Sequence, residues 1–193
     1  MLKIHSIKVG ESATNCYLIW DEKTKDAILV DPGDNADYIE AVVADLSINP
    51  IEIILTHGHW DHTMAVLELS LAYQIPILIN PADAFLLRRL HPSPKIGGNL
   101  SNGDDIKLGK SKLRVIETPG HTPGSISLYC AASKFVVDGD ICFADGTFGR
   151  TDFGYSDKKV LTKSLKIINK LPGSTDIYPG HGEAFKVANL AID

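Results

Sequence analysis

Thr56-His57-Gly58-His59-Trp60-Asp61-His62 packs three imidazoles and one carboxylate into six positions, directly after the apolar run Ile51–Leu55. Neutral imidazole and carboxylate oxygen are the ligands that suit Zn²⁺, Mn²⁺ and Fe²⁺. A strand end feeding a tight turn can aim the alternate side chains His57 and His59 at one point, while Asp61 and His62 enter the following helix from the adjacent side. The 193-residue chain has only seven histidines, so three in six positions is hard to attribute to a solvated polar turn. Three more metal-type ligands share one context. His121 lies in Thr118-Pro119-Gly120-His121-Thr122-Pro123-Gly124, Asp140 in Val137-Asp138-Gly139-Asp140, and His181 in Tyr178-Pro179-Gly180-His181-Gly182. Each follows an apolar run and sits beside glycine, where the backbone can bend a side chain into a shared cleft.

The elements that must carry these residues are short apolar runs bounded by turns. Leu2–Val9, Cys16–Trp20, Ala27–Val30 and Ile51–Leu55 read as strands, the last two as buried ones. Asp34 can cap a helix with Ile39, Val42, Val43 and Leu46 on its apolar face. A second helix is expected over Thr63–Tyr73, a short strand at Ile77–Ile79, and a third helix from Pro81 through Leu90. His91–Gly103, with Pro92, Pro94, Gly97, Gly98 and Gly103, reads as a long surface loop that could line or cover a cleft together with Trp60. Strands follow at Lys112–Glu117, Ile126–Cys130 and Lys134–Val137, then a helix over Lys158–Lys170 and a strand at Asp176–Tyr178. Runs of strands with interspersed helices fit two sheets packed inside outer helices.

Composition sets the class. Hydrophobic residues make up 44% and charged residues 22%, ordinary for a globular enzyme, and the length suits one domain. The net charge of −5 argues against nucleic acid or anionic membrane as a partner, both of which need a cationic face. Neither a signal peptide nor a membrane span is recognisable, so a cytoplasmic location is expected. Cys16, Cys130 and Cys142 match neither a zinc knuckle nor a C-x-x-C pair and read as reduced, mostly buried thiols, with a structural role near Asp140 open to Cys142. His5 and His91 read as ordinary surface or loop histidines.

The H-x-H-x-D-H signature, with a downstream His, Asp and His in strand-end turns, resembles the metallo-β-lactamase superfamily. Within it the chain is most similar to the short glyoxalase II-like (hydroxyacylglutathione hydrolase-like) hydrolases. The resemblance runs from the Asp31-Pro32-Gly33 turn through Gly180-His181-Gly182. It implies an α+β fold, a four-layer αββα sandwich with metals at one edge of the two sheets. It also implies one hydrolase domain over residues 1–193, without the C-terminal glutathione-binding helical domain of the long enzymes. Carried over, it implies that His57, His59 and His121 hold one divalent ion and Asp61, His62 and His181 a second. Asp140 bridges them, and Asp61 and Asp140 are the catalytic carboxylates. The ions expected are zinc, with iron or manganese as alternatives. A bridging hydroxide would attack a small-molecule thioester such as S-lactoylglutathione.

Two residues keep two readings each. Asp31 either orients a ligand histidine or caps a tight turn. Arg150, in Phe148-Gly149-Arg150-Thr151-Asp152-Phe153, either binds a substrate carboxylate or pairs on the surface with Asp152 or Asp145. The long glyoxalase II enzymes carry a Gly-Lys-aromatic-Tyr pattern at that place. Persulfide dioxygenases of the same fold, which use a single iron, carry a string close to Gly149-Arg150-Thr151-Asp152-Phe153. Dioxygenase chemistry and lactone or other ester hydrolysis are therefore the alternatives to thioester hydrolysis.

Overall fold

Successive residues of the central strands serve two different apolar layers, and that alternation builds the architecture. The computed structural model describes residues 1–91 and 94–192. In β2 (Thr14–Asp21), Cys16 and Leu18 face one cluster while Tyr17 and Ile19 face another. In β3 (Asp26–Val30), Ala27 and Leu29 alternate with Ile28 and Val30 in the same way. Strands apolar on both faces must be covered on both. The cover for one face is α1 (Ala36–Leu46) and α2 (Val66–Tyr73), which bury Ile39, Val43, Val66 and Leu69 against it. The other face packs on a second sheet.

The first sheet has the order β1 (Leu2–Val9), β2, β3, β4 (Asn49–Ile54), β5 (Ile77–Ile79), β6 (Ile96–Asn99). The second has the order β12 (Phe185–Lys186), β11 (Asp176–Pro179), β10 (Phe135–Gly139), β9 (Ile126–Cys130), β8 (Ser111–Glu117), β7 (Asp105–Leu108). Tyr17, Ile28, Val30 and Ile54 meet Leu113, Val115, Leu128 and Val137 between the sheets. On the outside of the second sheet, Val136 and Ile177 pack on Leu161, Leu165 and Ile168 of α4 (Lys158–Ile168). The result is the expected α+β sandwich with helices on both outer faces. Among the described residues no helix is long and apolar enough to cross a membrane.

Several local expectations are corrected. The first residue before α1 is Asn35, in a left-handed conformation, and Asp34 instead accepts from the Asn35 N–H (2.6 Å). The second helix begins only at Val66, because Trp60–His62 forms a 3-10 turn that holds Asp61 and His62 outside the α-helix. The expected His91–Gly103 loop contains β6, which pairs in parallel with β5 through Ile77↔Ile96 and Ile79↔Asn99. Gly97 is tolerated there by necessity, since a Cβ would run into Pro76. Pro92 of that loop lies outside the described residues. β7 and β12 had no recognisable signal: each is short and exists through pairing with a neighbour. His91 is no surface histidine; it is buried at the end of α3 (Ala84–Leu90) and its Nε2 lies 2.9 Å from the Thr63 carbonyl oxygen. His5 is exposed on β1. All three cysteines are free and buried.

Candidate metal centre

Five strand ends supply the site, all at one edge of the sandwich. Asp31 follows β3, His57–His62 follows β4, His121 lies between β8 and β9, Asp140 follows β10 and His181 follows β11. β3 is parallel to β4 and β10 to β11, so their carboxyl ends open on the same side. β2 joins the two halves: Tyr17 Oη donates to the Pro179 carbonyl (2.5 Å) and Asn15 Nδ2 to the carbonyls of Pro179 and Gly182 (2.9 Å each).

The seven residues expected to bind metal are brought together. His57, His59, His121 and Asp140 form one set whose ligand atoms lie within 4.8 Å of one another, and Asp61, His62 and His181 form another. Asp140 lies between them, with Oδ1 3.5 Å from His62 Nε2 and Oδ2 3.5 Å from His121 Nε2 and 3.7 Å from His181 Nε2. Asp61 Oδ2 is 3.4 Å from His181 Nε2.

Each histidine has one nitrogen turned outward to a partner. His62 Nδ1 lies 2.9 Å from Asp31 Oδ2, His121 Nδ1 2.9 Å from the Arg150 carbonyl and His181 Nδ1 3.1 Å from the Ser12 carbonyl. Since carboxylates and carbonyls only accept, those nitrogens carry the proton and Nε2 is left as the ligand atom. His57 Nδ1 lies 3.1 Å from Thr56 Oγ1, whose hydroxyl donates to Asp31 Oδ2 (2.5 Å). His59 is turned the other way, with Nε2 2.8 Å from Tyr155 Oη and Nδ1 inward. The inward nitrogens of His57 and His121 lie 3.1 and 2.9 Å from His59 Nδ1. Nitrogens bound to a tetrahedral ion at 2.0–2.1 Å lie about 3.3 Å apart, close to this spacing. His62 Nε2 and Asp140 Oδ1 are buried without a hydrogen-bond partner. Such orphaned polar atoms are costly unless a cation satisfies them. On both counts the residues fit divalent metal.

At His57, His59 and Asp140 the electrostatics agree with that fit. Burial, aided by the charge of His62 and His121, pushes His57 well below the ordinary imidazole value. Burial and His121 push His59 down to about 4. Both are therefore neutral near pH 7, the form that binds metal. Burial opposes ionisation of Asp140, but His62 and His121 outweigh it and hold its carboxyl well below the usual range. Burial likewise opposes a proton on His62, and the Asp140 and Asp31 carboxylates on its two nitrogens outweigh it.

Asp31 is buried and bonds the Thr56 N–H (2.7 Å) as well as Thr56 Oγ1 and His62, so it orients side chains of the cluster rather than only capping a turn. Arg150 sits at the cleft but is bound to Asp152, Nε to Oδ1 at 3.0 Å and Nη2 to Oδ2 at 2.7 Å, and its guanidinium stacks 4.8 Å over Phe153. Trp60 lines the cleft; no described residue of 91–103 does. Asp138, the other carboxylate of Asp138-Gly139-Asp140, turns away and accepts from Cys142 Sγ at 3.0 Å.

Two contributors carried no sequence signal. Asp83 follows Pro81 in a 3-10 turn, is fully buried, and accepts from Gly58 N (2.9 Å), Gly124 N (2.6 Å) and Thr122 Oγ1 (2.6 Å). It ties the His57–His62 turn to the His121 turn. An isolated Asp at a helix start looks like any cap, so only the fold reveals this. Asp83→Ala orphans the buried N–H groups of Gly58 and Gly124 at roughly 1–3 kcal/mol each, while Thr122 Oγ1 keeps Ser125 Oγ as a partner. The metal-free variant is expected to melt at least about 4 °C below the parent by calorimetry; an unchanged midpoint would show that the tie contributes nothing. Tyr155 lies just beyond the Gly149–Phe153 string, where an aromatic reads as cleft wall. Tyr155→Phe keeps the ring stacked on Phe153 (5.4 Å) and removes only the hydroxyl. It is expected to weaken metal binding about tenfold in a chelator competition, with the metal-free melting point nearly unchanged. Equal affinities would reduce Tyr155 to a wall residue.

A family model described as the metallo-beta-lactamase superfamily matches residues 9–181. The hydroxyacylglutathione hydrolase GloC of Haemophilus influenzae is 33% identical over 196 residues, spanning 94% of this chain and 91% of that protein. Among solved structures, TTHA1623 in a di-iron-bound form aligns with a TM-score of 0.85 at 31% identity, over 96% of both chains. The BLEG-1 B3 metallo-beta-lactamase aligns with a TM-score of 0.88 at 28% identity, over 97% of this chain and 95% of that one.

Proposed function

The chain belongs to the metallo-beta-lactamase superfamily, and from that premise we propose that it is a two-metal hydrolase acting on thioesters. One observation carries this reading: seven ligand-type side chains converge in two neighbouring sets, with Asp140 facing histidines of both and the outward nitrogen of each histidine already engaged. A closed structural zinc site needs four ligands, and seven grouped around a cleft suit open coordination instead. The similarity to GloC supports a thioester as substrate.

His57, His59 and His121 would hold one ion, Asp61, His62 and His181 the other, and Asp140 both. Bound there, two ions of zinc, iron or manganese would supply an activated water near neutral pH and polarise the scissile carbonyl. The chain's own part is positioning and proton handling. Asp31 and Thr56 keep His62 and His57 in the ligating tautomer. Asp61, half-buried in the cleft wall, would take a proton from the attacking water. The net reaction breaks C–S, forms C–O and releases a carboxylate, a thiol and a proton. The three buried free cysteines accord with a reducing, cytoplasmic setting.

The test is metal analysis of the purified protein alongside thiol release from a panel of thioesters that includes S-lactoylglutathione. About two ions per chain with metal-dependent thiol release, lost in His57→Ala, is the expected result. One iron per chain, no thiol release and oxygen uptake with glutathione persulfide would overturn it.

A further inference from the structure

Five aromatic side chains wall the cleft over the reacting centre, and two acidic ones line the cavity beside it. We propose that the thiol half of the substrate is an uncharged, apolar group, an aryl or alkyl thiol rather than glutathione; this rests on the thioester reading above. The cleft over the metal centre, roughly 430 Å³, is walled by Trp60, Phe143, Phe148, Phe153 and Tyr155. Phe153 and Tyr155 stack nearly parallel, 5.4 Å apart at 10°, and Phe85 packs edge-on to Tyr155 at 5.7 Å from behind. Trp60 is 54% exposed and Phe148 37%, large apolar surface left facing solvent at the mouth of a polar site. Such surface beside a reacting centre marks where a ligand lies.

Charge points the same way. Among the described residues Arg150 is the only Lys or Arg lining this cleft. Its fork is closed on Asp152 and its face lies on Phe153, so it adds to the aromatic wall with its charge balanced. A second cavity of roughly 500 Å³ shares Phe143 and His181 with the first and carries Asp145 and Glu183, with no Lys or Arg in its lining. Lys8 reaches Glu183 from outside (3.0 Å), which leaves Asp145 as net negative charge there. Glutathione carries two carboxylates and one ammonium. Among the described residues neither cavity's lining offers an unpaired Lys or Arg to either carboxylate. An uncharged aryl thiol instead buries apolar surface against stacked rings.

The test uses the metal-loaded protein and two lactoyl thioesters that differ only in the thiol, S-benzyl thiolactate and S-lactoylglutathione. Each kcat/KM is divided by the spontaneous hydrolysis rate. Binding of the matching non-cleavable thioethers, benzyl 2-hydroxypropyl sulfide and S-(2-hydroxypropyl)glutathione, is measured in parallel. We expect the benzyl compounds to be favoured at least tenfold in both readouts, with Phe148→Ala lowering the preference mainly through KM. If the glutathione thioether binds as well or better, the inference falls whatever the kinetics. If the benzyl thioether binds preferentially but neither thioester is cleaved, the apolar subsite stands and the thioesterase reading falls.

Discussion

Asp140→Ala is expected to drop metal content from about two ions per chain to one or fewer and to abolish measurable hydrolysis. The carboxylate is nearly buried, its side chain 11% exposed, and its two oxygens face different histidines: Oδ1 faces His62, and Oδ2 faces His121 and His181. On the proposed two-metal reading, removing it strips a ligand from both ions at once. Loss of an outer partner of a ligand already costs roughly 10–100-fold in affinity or activity, and loss of a shared ligand should exceed that. Elemental analysis and chelator competition give the metal readout, and circular dichroism shows whether the variant folds. Asp140→Asn, which keeps the volume, guards against a folding defect. Retention of two tightly held ions in the isostere would show that Asp140 is not the shared ligand.

The second large effect is steric, and it comes from a residue that binds nothing. Gly180→Ala would drive a methyl into Asp140 Oδ1 and to 2.7 Å from His62 Cε1. The backbone cannot retreat easily, because Gly180 N donates to the Gly139 carbonyl and its own carbonyl accepts from Asn15 N, both at 2.7 Å. The ligands must therefore move. Overpacking of this kind costs about 1–3 kcal/mol, or roughly 2–12 °C in melting point for a chain of this size. The effect on metal should be larger, since the methyl displaces one candidate ligand from each set, His62 and Asp140: a loss of at least about 100-fold in affinity. Gly154→Ala is the control, because a Cβ there meets nothing within 4 Å and φ is unremarkable. Gly180→Ala and Gly154→Ala binding metal equally would refute the close approach as a functional constraint.

The cluster of ligand-type side chains was readable from sequence because metal chemistry restricts residue type. Few side chains can serve, and three histidines within His57–His62 announce themselves. His121, Asp140 and His181 needed their common strand-end context, which local patterning supplied. The sandwich was readable for a similar reason: near-continuous apolar strands such as Ala27–Val30 need cover on both faces, and the helical faces of 36–46 and 158–168 supply it. β6, β7 and β12 were not readable. Ile96-Gly97-Gly98-Asn99 has no strand periodicity, and only its pairing with β5 makes it one. The helix after His62 began late for another reason: Asp61 and His62 are held in a 3-10 turn, which propensity along the chain does not distinguish from a first helical turn.

The amino-acid sequence by itself determined the class of protein: a set of ligand-type side chains able to hold metal, the strand ends that carry it, and the α+β layering that follows from apolar alternation. Tertiary structure alone decided the partners. Asp31 serves His62 across 31 residues, Asp83 joins two turns through Gly58 and Gly124, and Tyr155 meets His59 from 96 residues away. The division has a physical cause. Ligand identity and layer pattern are properties of residue type and local period, both written along the chain. Hydrogen bonds across tens of residues depend on register, sheet order and turn geometry, which exist only once the two sheets have packed.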